Sequence, residues 1–203
     1  DFSTIAVWAI SYNNDWLLVD GQCKRQSMQD NIEDLFGYAK KWKPISVGIE
    51  SSGQQGGFLS IIEEMKLQRN IWFQFAKKPG SKEPGIRPIK DKVHRFVTGV
   101  QPKFKQGKIW FPKPEIIKSS NYRLFELVEE MINELSKFTM AGGIASLKHD
   151  DAIDTLNQLS EMELYAPSDD SVIEKSVVTE GGLVWTGIWE DEEDSDYRGS
   201  TVF

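Results

Sequence analysis

The stretch Leu147-Lys148-His149-Asp150-Asp151-Ala152-Ile153-Asp154-Thr155-Leu156 sets three carboxylates and an imidazole at the opening of a helical pattern. Carboxylates this crowded repel one another, and a bound cation offsets that repulsion. One such cluster does not hold a catalytic metal unaided, so a partner acid must come from elsewhere. Val47-Gly48-Ile49-Glu50-Ser51-Ser52-Gly53 supplies one, an apolar run that ends in a single acid and then breaks into small residues. Plainer roles stand beside these. An Asp at a helix start is ordinarily an N-cap that accepts from orphan backbone N–H groups, and taken alone Asp150 reads that way. Asp154 reads equally as a solvated acid, and Glu50 as a surface acid at a strand end. A doubled Asp with a third one turn later nevertheless exceeds what capping needs, since one side chain suffices. Strand ends at a rim are also where open α/β sheets bind ligands.

The elements that must position these acids follow from periodicity. Ala152, Ile153, Leu156 and Leu159 recur at helical spacing and pin one face of the last helix to a core, with Asp150 and Asp151 in its first turn. That helix is expected to end near Tyr165-Ala166-Pro167. Residues 4–10 and 16–19 are β-rich and flank the turn-forming Ser11-Tyr12-Asn13-Asn14-Asp15, which reads as an antiparallel hairpin, with a third strand expected at 23–26. Ser27 caps a helix running to about Lys41, with Ile32, Leu35, Phe36 and Ala39 on its buried face. Residues 45–50 form the next strand. Gly53-Gln54-Gln55-Gly56-Gly57 then turns into a helix carrying Phe58, Ile61, Ile62 and Met65, and it lacks the Lys-Ser/Thr of a phosphate loop. Residues 71–75 make the last obvious core strand. Residues 77–88 read as a mobile basic loop, 89–97 as a helix, and 102–110 as a hairpin around Gln106-Gly107. The helix at 122–138 is the clearest, with Leu124, Phe125, Val128, Met131, Ile132 and Leu135 in one stripe.

The chain has 203 residues, 39% of them hydrophobic, enough for one ordinary domain and an appendage. A single Cys excludes an internal disulfide and a Cys-rich zinc site, which points away from an oxidising compartment. No apolar run approaches the roughly 20 residues that span a bilayer, and no basic-then-apolar leader opens the sequence, so neither secretion nor a membrane is expected. The net charge of −7 is unevenly spread. Residues 77–118 carry twelve Lys or Arg against three acids, a local balance of +9, whereas residues 167–203 carry ten acids against Lys175 and Arg198, a balance of −8. Basic residues interleaved with Phe96, Phe104, Trp110 and Phe111 suit phosphate attraction plus base or sugar contact, and suit a solvated amphipathic surface as well. Beside a carboxylate cluster that gathers metal ions, the same basic stretch points to phosphodiester chemistry.

Strands in meander, then strand and helix in alternation, with acids at strand ends and on a final helix, match an α/β, ribonuclease H-like arrangement: a mixed central sheet flanked by helices. Asp1-Phe2-Ser3-Thr4-Ile5-Ala6-Val7, Val47-Gly48-Ile49-Glu50-Ser51-Ser52-Gly53, Lys90-Asp91-Lys92-Val93-His94-Arg95 and His149-Asp150-Asp151-Ala152-Ile153-Asp154 carry a more specific likeness. In these segments, in their order and spacing over roughly residues 1–166, the chain resembles the C-terminal nuclease domain of the large terminase, the DNA-packaging motor subunit of tailed bacteriophages. The resemblance implies a nuclease domain over 1–166 and an acidic tail over 167–203. It implies an endonuclease that cuts concatemeric viral double-stranded DNA during packaging, in the cytoplasm of an infected bacterial host. Glu50 would be the middle-strand metal ligand and the Asp150/Asp151 pair the last, Asp151 preferred. Asp1 corresponds to the second acid of the family's opening segment, which places the principal first-strand ligand upstream, with Asp1 near the metals.

On that resemblance the chemistry is two-metal hydrolysis by Mg²⁺ or Mn²⁺, which all-oxygen ligation favours over zinc, with the ions about 4 Å apart. His149 and Asp154 would act behind the ligands, through hydrogen bonds to them. Lys90, Lys92 and Arg95, with Lys77, Lys78 and Lys82 of the basic loop, would hold backbone phosphates, contacts that carry little sequence information. The ATPase half of a terminase would lie N-terminal, and no Gly-x-x-x-x-Gly-Lys-Ser/Thr sequence occurs here. Portal protein and small terminase subunit are the implied partners. In the tail, the β-like Gly181-Gly182-Leu183-Val184-Trp185-Thr186-Gly187-Ile188-Trp189 precedes Glu190-Asp191-Glu192-Glu193-Asp194, and Trp185 and Trp189 are costly to leave in water, which favours a docking role over a purely solvating one. A Holliday-junction resolvase, another ribonuclease H-like nuclease and a non-catalytic DNA-binding module are the alternatives.

Overall fold

Asn14 turns the chain back on itself with a positive φ of 60°, and Asn14 N–H donates to the Ser11 carbonyl at 2.9 Å. The turn joins β1 (Ser3–Ile10) to β2 (Trp16–Lys24) in an antiparallel pair whose register shifts between Val7 and Trp8. A computed structural model describes residues 3–51, 56–138 and 150–168. The readings placed on Asp1, Gly53, His149 and the tail beyond Ser168 fall outside the described residues.

The architecture is α/β with a small mixed sheet, in the order β1-β2-β5, where β5 (Ile109–Trp110) runs parallel to β2. A second, two-stranded parallel sheet pairs β3 (Ser46–Val47) with β4 (Gln74–Phe75). Among the described residues the strands fall in these two sheets. The third strand expected at 23–26 is absent because β2 does not stop at Asp20-Gly21. The Asp20 carboxylate is buried with its own donors, and Gly21, at φ 152°, lets the strand pass where a Cβ would meet the Ile5 carbonyl at 2.4 Å and Leu127 at 2.5 Å. β2 therefore pairs through Cys23 and Lys24 with Thr4 and Ser3.

Ser27 caps α1 (Met28–Trp42) by accepting from Asp30 N–H, and Lys43 in the left-handed region ends it. Its Ile32, Phe36 and Ala39 join Ile62 of α2 (Gly56–Arg69) and Phe73 in one apolar cluster. Residues 77–88, read as a mobile loop, are tied at several points. Ile86 is fully buried and bridges Glu50, and Lys77 and Lys78 pair with Glu163 and Glu161.

The expected helix runs on past residue 97 in place of the hairpin's first arm, as α3 (Lys92–Arg95), a π-helical turn at Phe96–Val100 and α4 (Gln101–Lys105), and the second arm is β5. Gly107, at φ 67°, is the left-handed stop of α4, with Lys108 N–H donating back to Lys103 O at 2.9 Å. After α5 (Pro114–Ser120), the long α6 (Tyr122–Lys137) lays Leu124, Leu127, Val128 and Met131 over Leu18 of β2. The last helix, α7 (Asp151–Glu161), buries Ala152 in that cluster and Ile153 and Leu156 against Phe96 and Val100. It stops at Glu161 rather than near Tyr165. Among the described residues no helix is long and apolar enough to cross a membrane.

Candidate metal and phosphate site

The face of α7 opposite its core positions carries the polar residues. Asp151, Asp154, Thr155 and Gln158 follow one another at helical spacing, and all four line a cleft of about 460 Å³. Glu50 lines the same cleft, together with the length of β1 and the inner face of α1. Glu50 stands there because its backbone bridges Ile86: Ile86 N–H donates to Ile49 O at 2.8 Å and Ser51 N–H to Ile86 O at 3.1 Å. Gly48 makes the approach possible, since a Cβ there would lie 2.6 Å from the Met162 sulfur just beyond α7. Gln158 Nε2 donates to Glu50 Oε2 at 3.3 Å, a direct link between positions 108 apart in sequence. Of the acids placed in one site from sequence, Glu50 and Asp151 line this cleft and Asp150 does not.

Asp150 does not cap α7 with its side chain. Its carboxylate turns away to Lys92, whose Nζ donates to Asp150 Oδ2 at 2.7 Å and also pairs with Asp154. The orphan N–H groups of the first turn are met from another helix. Glu134 of α6, buried among apolar neighbours, accepts from Ile153 N–H at 2.7 Å and from Ala152 N–H at 3.3 Å. Burial pushes the Glu134 carboxyl up to about 7, against the pull of those two N–H donors.

A basic face meets the acids from α3. Asp91 caps α3 by accepting from His94 N–H at 2.9 Å, which sets Lys92 and Arg95 toward α7. Arg95 is buried, 5% exposed, and spans Asp154 and Glu161. Gly99 lets the π-helical turn close on α7, because a Cβ there would meet Ser160 Oγ at 2.4 Å. Burial tends to lower the Lys92 pKa, but its hydrogen bonds and charge pairs with Asp150 and Asp154 outweigh this and raise it. Burial raises the Asp154 carboxyl above its ordinary value, and Lys92 and Arg95 do not fully offset it. The two directions are compatible: Lys92 has two acids around it, whereas Asp154 is more deeply buried than its cations compensate.

The remaining basic candidates fall into two groups. Lys77 and Lys78 form ion pairs with Glu163 and Glu161. Lys82 and Lys90 are exposed, and Lys90 Nζ lies 2.9 Å from His94 Nε2. Arg95, expected on phosphates, points into the protein.

Sequence reasoning missed Glu134, which reads as one more polar residue on the amphipathic α6, and Gln158, whose only signal is its helical register with Asp151 and Asp154. Among the described residues, no three His, Cys, Asp or Glu side chains lie close enough together to hold a metal ion. The chemistry of the donors nonetheless fits a hard divalent cation: Glu50, Asp151 and Asp154 offer only oxygen, in a cleft open to solvent. No protein-family model matches the chain, and no curated protein matches its sequence.

Proposed function

We propose that this chain is a metal-dependent endonuclease of ribonuclease H-like build, cutting viral double-stranded DNA during genome packaging. One observation carries the reading: Glu50 and the α7 face bearing Asp151 and Asp154 line the same cleft, beside the basic α3. The resemblance of the acid-bearing segments to terminase nuclease domains supplies the substrate. In this reading Glu50 and Asp151 hold Mg²⁺ or Mn²⁺, with Asp1 as a further acid, while the Asp150 carboxylate is held by Lys92, which also pairs with the cleft's Asp154. The bound ions would lower the pKa of an attacking water and stabilise the leaving 3′ oxygen.

The chain's own residues divide the remaining work. Gln158 orients Glu50 by donating to one of its oxygens. Lys92 holds Asp150 and Asp154 against mutual repulsion, and Arg95 braces Asp154 from inside the protein. Lys82 and Lys90 are exposed and are assigned to backbone phosphates, with the ion-paired Lys77 and Lys78 as further members of the same basic group. A nuclease built this way cuts with weak sequence preference. The ATPase domain, portal protein and small terminase subunit belong to this proposal through the resemblance.

The test is Mn²⁺-dependent plasmid cutting by the wild type, Glu50→Ala and Asp151→Asn, with DNA binding followed in parallel. The reading expects cutting to fall by about 10³-fold in both variants while binding persists. Linear, branched and RNA–DNA hybrid substrates, run together, separate a packaging nuclease from a junction resolvase. Cutting that survives both substitutions would reject the assignment.

A further inference from the structure

The geometry points to Glu134 as the positioning residue of the α7 acids, a role that rests on the reading of Glu50 and Asp151 as metal-holding. Its side chain is 1% exposed, on the helix face that carries Leu127, Val128 and Met131. A carboxylate at such a place is costly to desolvate, and Glu130 and Asp151 add like charge nearby. In return the structure gives it two backbone N–H groups, those of Ala152 and Ile153. An apolar side chain would pack there more cheaply, so the acid marks a requirement at the start of α7 rather than in the core.

That requirement is visible in what a local cap would cost the site. A cap from Asp150 would turn its carboxylate onto the helix and away from Lys92. Capping from α6 leaves the Asp150 carboxylate to Lys92 and the Asp151 side chain to the cleft, and still satisfies the first turn. The two bonds also fix the peptides that follow Asp151, and through them the direction of its side chain into the cleft. Without them the first turn, which carries Asp151, frays. Glu134 thus touches neither substrate nor metal and acts through the backbone of Ala152 and Ile153.

The test compares wild type, Glu134→Gln and Glu134→Ala in the whole chain. Mn²⁺ affinity is read by electron paramagnetic resonance, alongside plasmid cutting, DNA binding and amide exchange at Ala152 and Ile153. The expected result for Glu134→Ala is faster exchange at those two amides and Mn²⁺ affinity and cutting weaker by about 10- to 100-fold, with DNA binding kept. Glu134→Gln retains one acceptor oxygen and falls between alanine and wild type. A lower melting temperature with unchanged Mn²⁺ affinity in either variant overturns the inference and leaves a merely structural acid. Should the alanine variant fail to fold, the glutamine variant decides by the same readings. A wild type that neither binds Mn²⁺ nor cuts DNA removes the nuclease reading and this role with it. An active wild type with unaffected Glu134 variants removes only this role.

Discussion

Two acidic centres of this molecule are built in opposite ways. Asp20, 2% exposed on β2, accepts from Gly21 N–H, Lys41 Nζ, Trp42 Nε1 and Asn121 Nδ2, at 2.7 to 2.8 Å. Burial pushes its carboxyl up, yet these donors together bring it below its ordinary value. Asp154 on α7 has Lys92 and Arg95 beside it, and burial still leaves its carboxyl above the usual value. The first acid has its charge met from every side and serves as a bolt between β2, α1 and α6. The second is less completely compensated, and its carboxyl stays above the ordinary value with two cations beside it. Buried acids are thus told apart by how completely their donors close around them rather than by depth.

Substitutions that exchange the two behaviours sharpen this contrast. Glu50→Ala, on the cleft side, should lower Mn²⁺-dependent cutting by about 10³-fold, roughly 4 kcal/mol of barrier, with a melting temperature close to wild type. Asp20→Ala should do the reverse, costing about 3 kcal/mol of stability because Trp42, Asn121 and Gly21 lose their acceptor, while the residual folded protein cuts normally. Denaturant titration at neutral pH reads that loss. If Asp20→Ala abolishes cutting in well-folded protein, the division between the two centres is wrong.

Acid titration separates them further. The folded-state pKa of Asp20 lies below its ordinary value of 3.8, so its contribution to stability is present above that pH and is lost as pH falls through the folded value. Asp20→Asn should therefore differ from wild type most at neutral pH and converge with it in strong acid. A gap that stays constant down to pH 2 would contradict the assignment. The smallest effect is expected from Lys92→Met. Lys92 is 38% exposed, so stability should fall by less than about 1 kcal/mol. The Asp154 carboxyl should titrate still higher than in wild type, as carbon-detected NMR would show, and an unchanged titration would mean that Lys92 does not govern that acid.

The sequence was most readable where one helix face meets one core. α1, α6 and α7 follow their apolar spacing, and Ser27 caps α1 as its chemistry requires. Legibility failed where two structures need the same residue. Gly107 was read as a hairpin turn and is the left-handed end of α4, and both demand a positive φ. Asp20-Gly21 looks like a break between strands at 16–19 and 23–26, because a buried Asp is invisible until its donors from α1 and Asn121 arrive through tertiary structure. In the site, Glu50 and Asp151 stood out as acids at the ends of apolar patterns. Glu134 did not, since its partner amides lie on another helix and backbone N–H groups leave no trace in a sequence.

The most direct measurement is a crystal soaked in Mn²⁺ and recorded at the manganese absorption edge. Anomalous peaks are expected within about 2.2 Å of carboxylate oxygens of both Glu50 and Asp151, in the cleft beside α7. Peaks that touch neither acid, or ions bound only at surface carboxylates elsewhere, would contradict it.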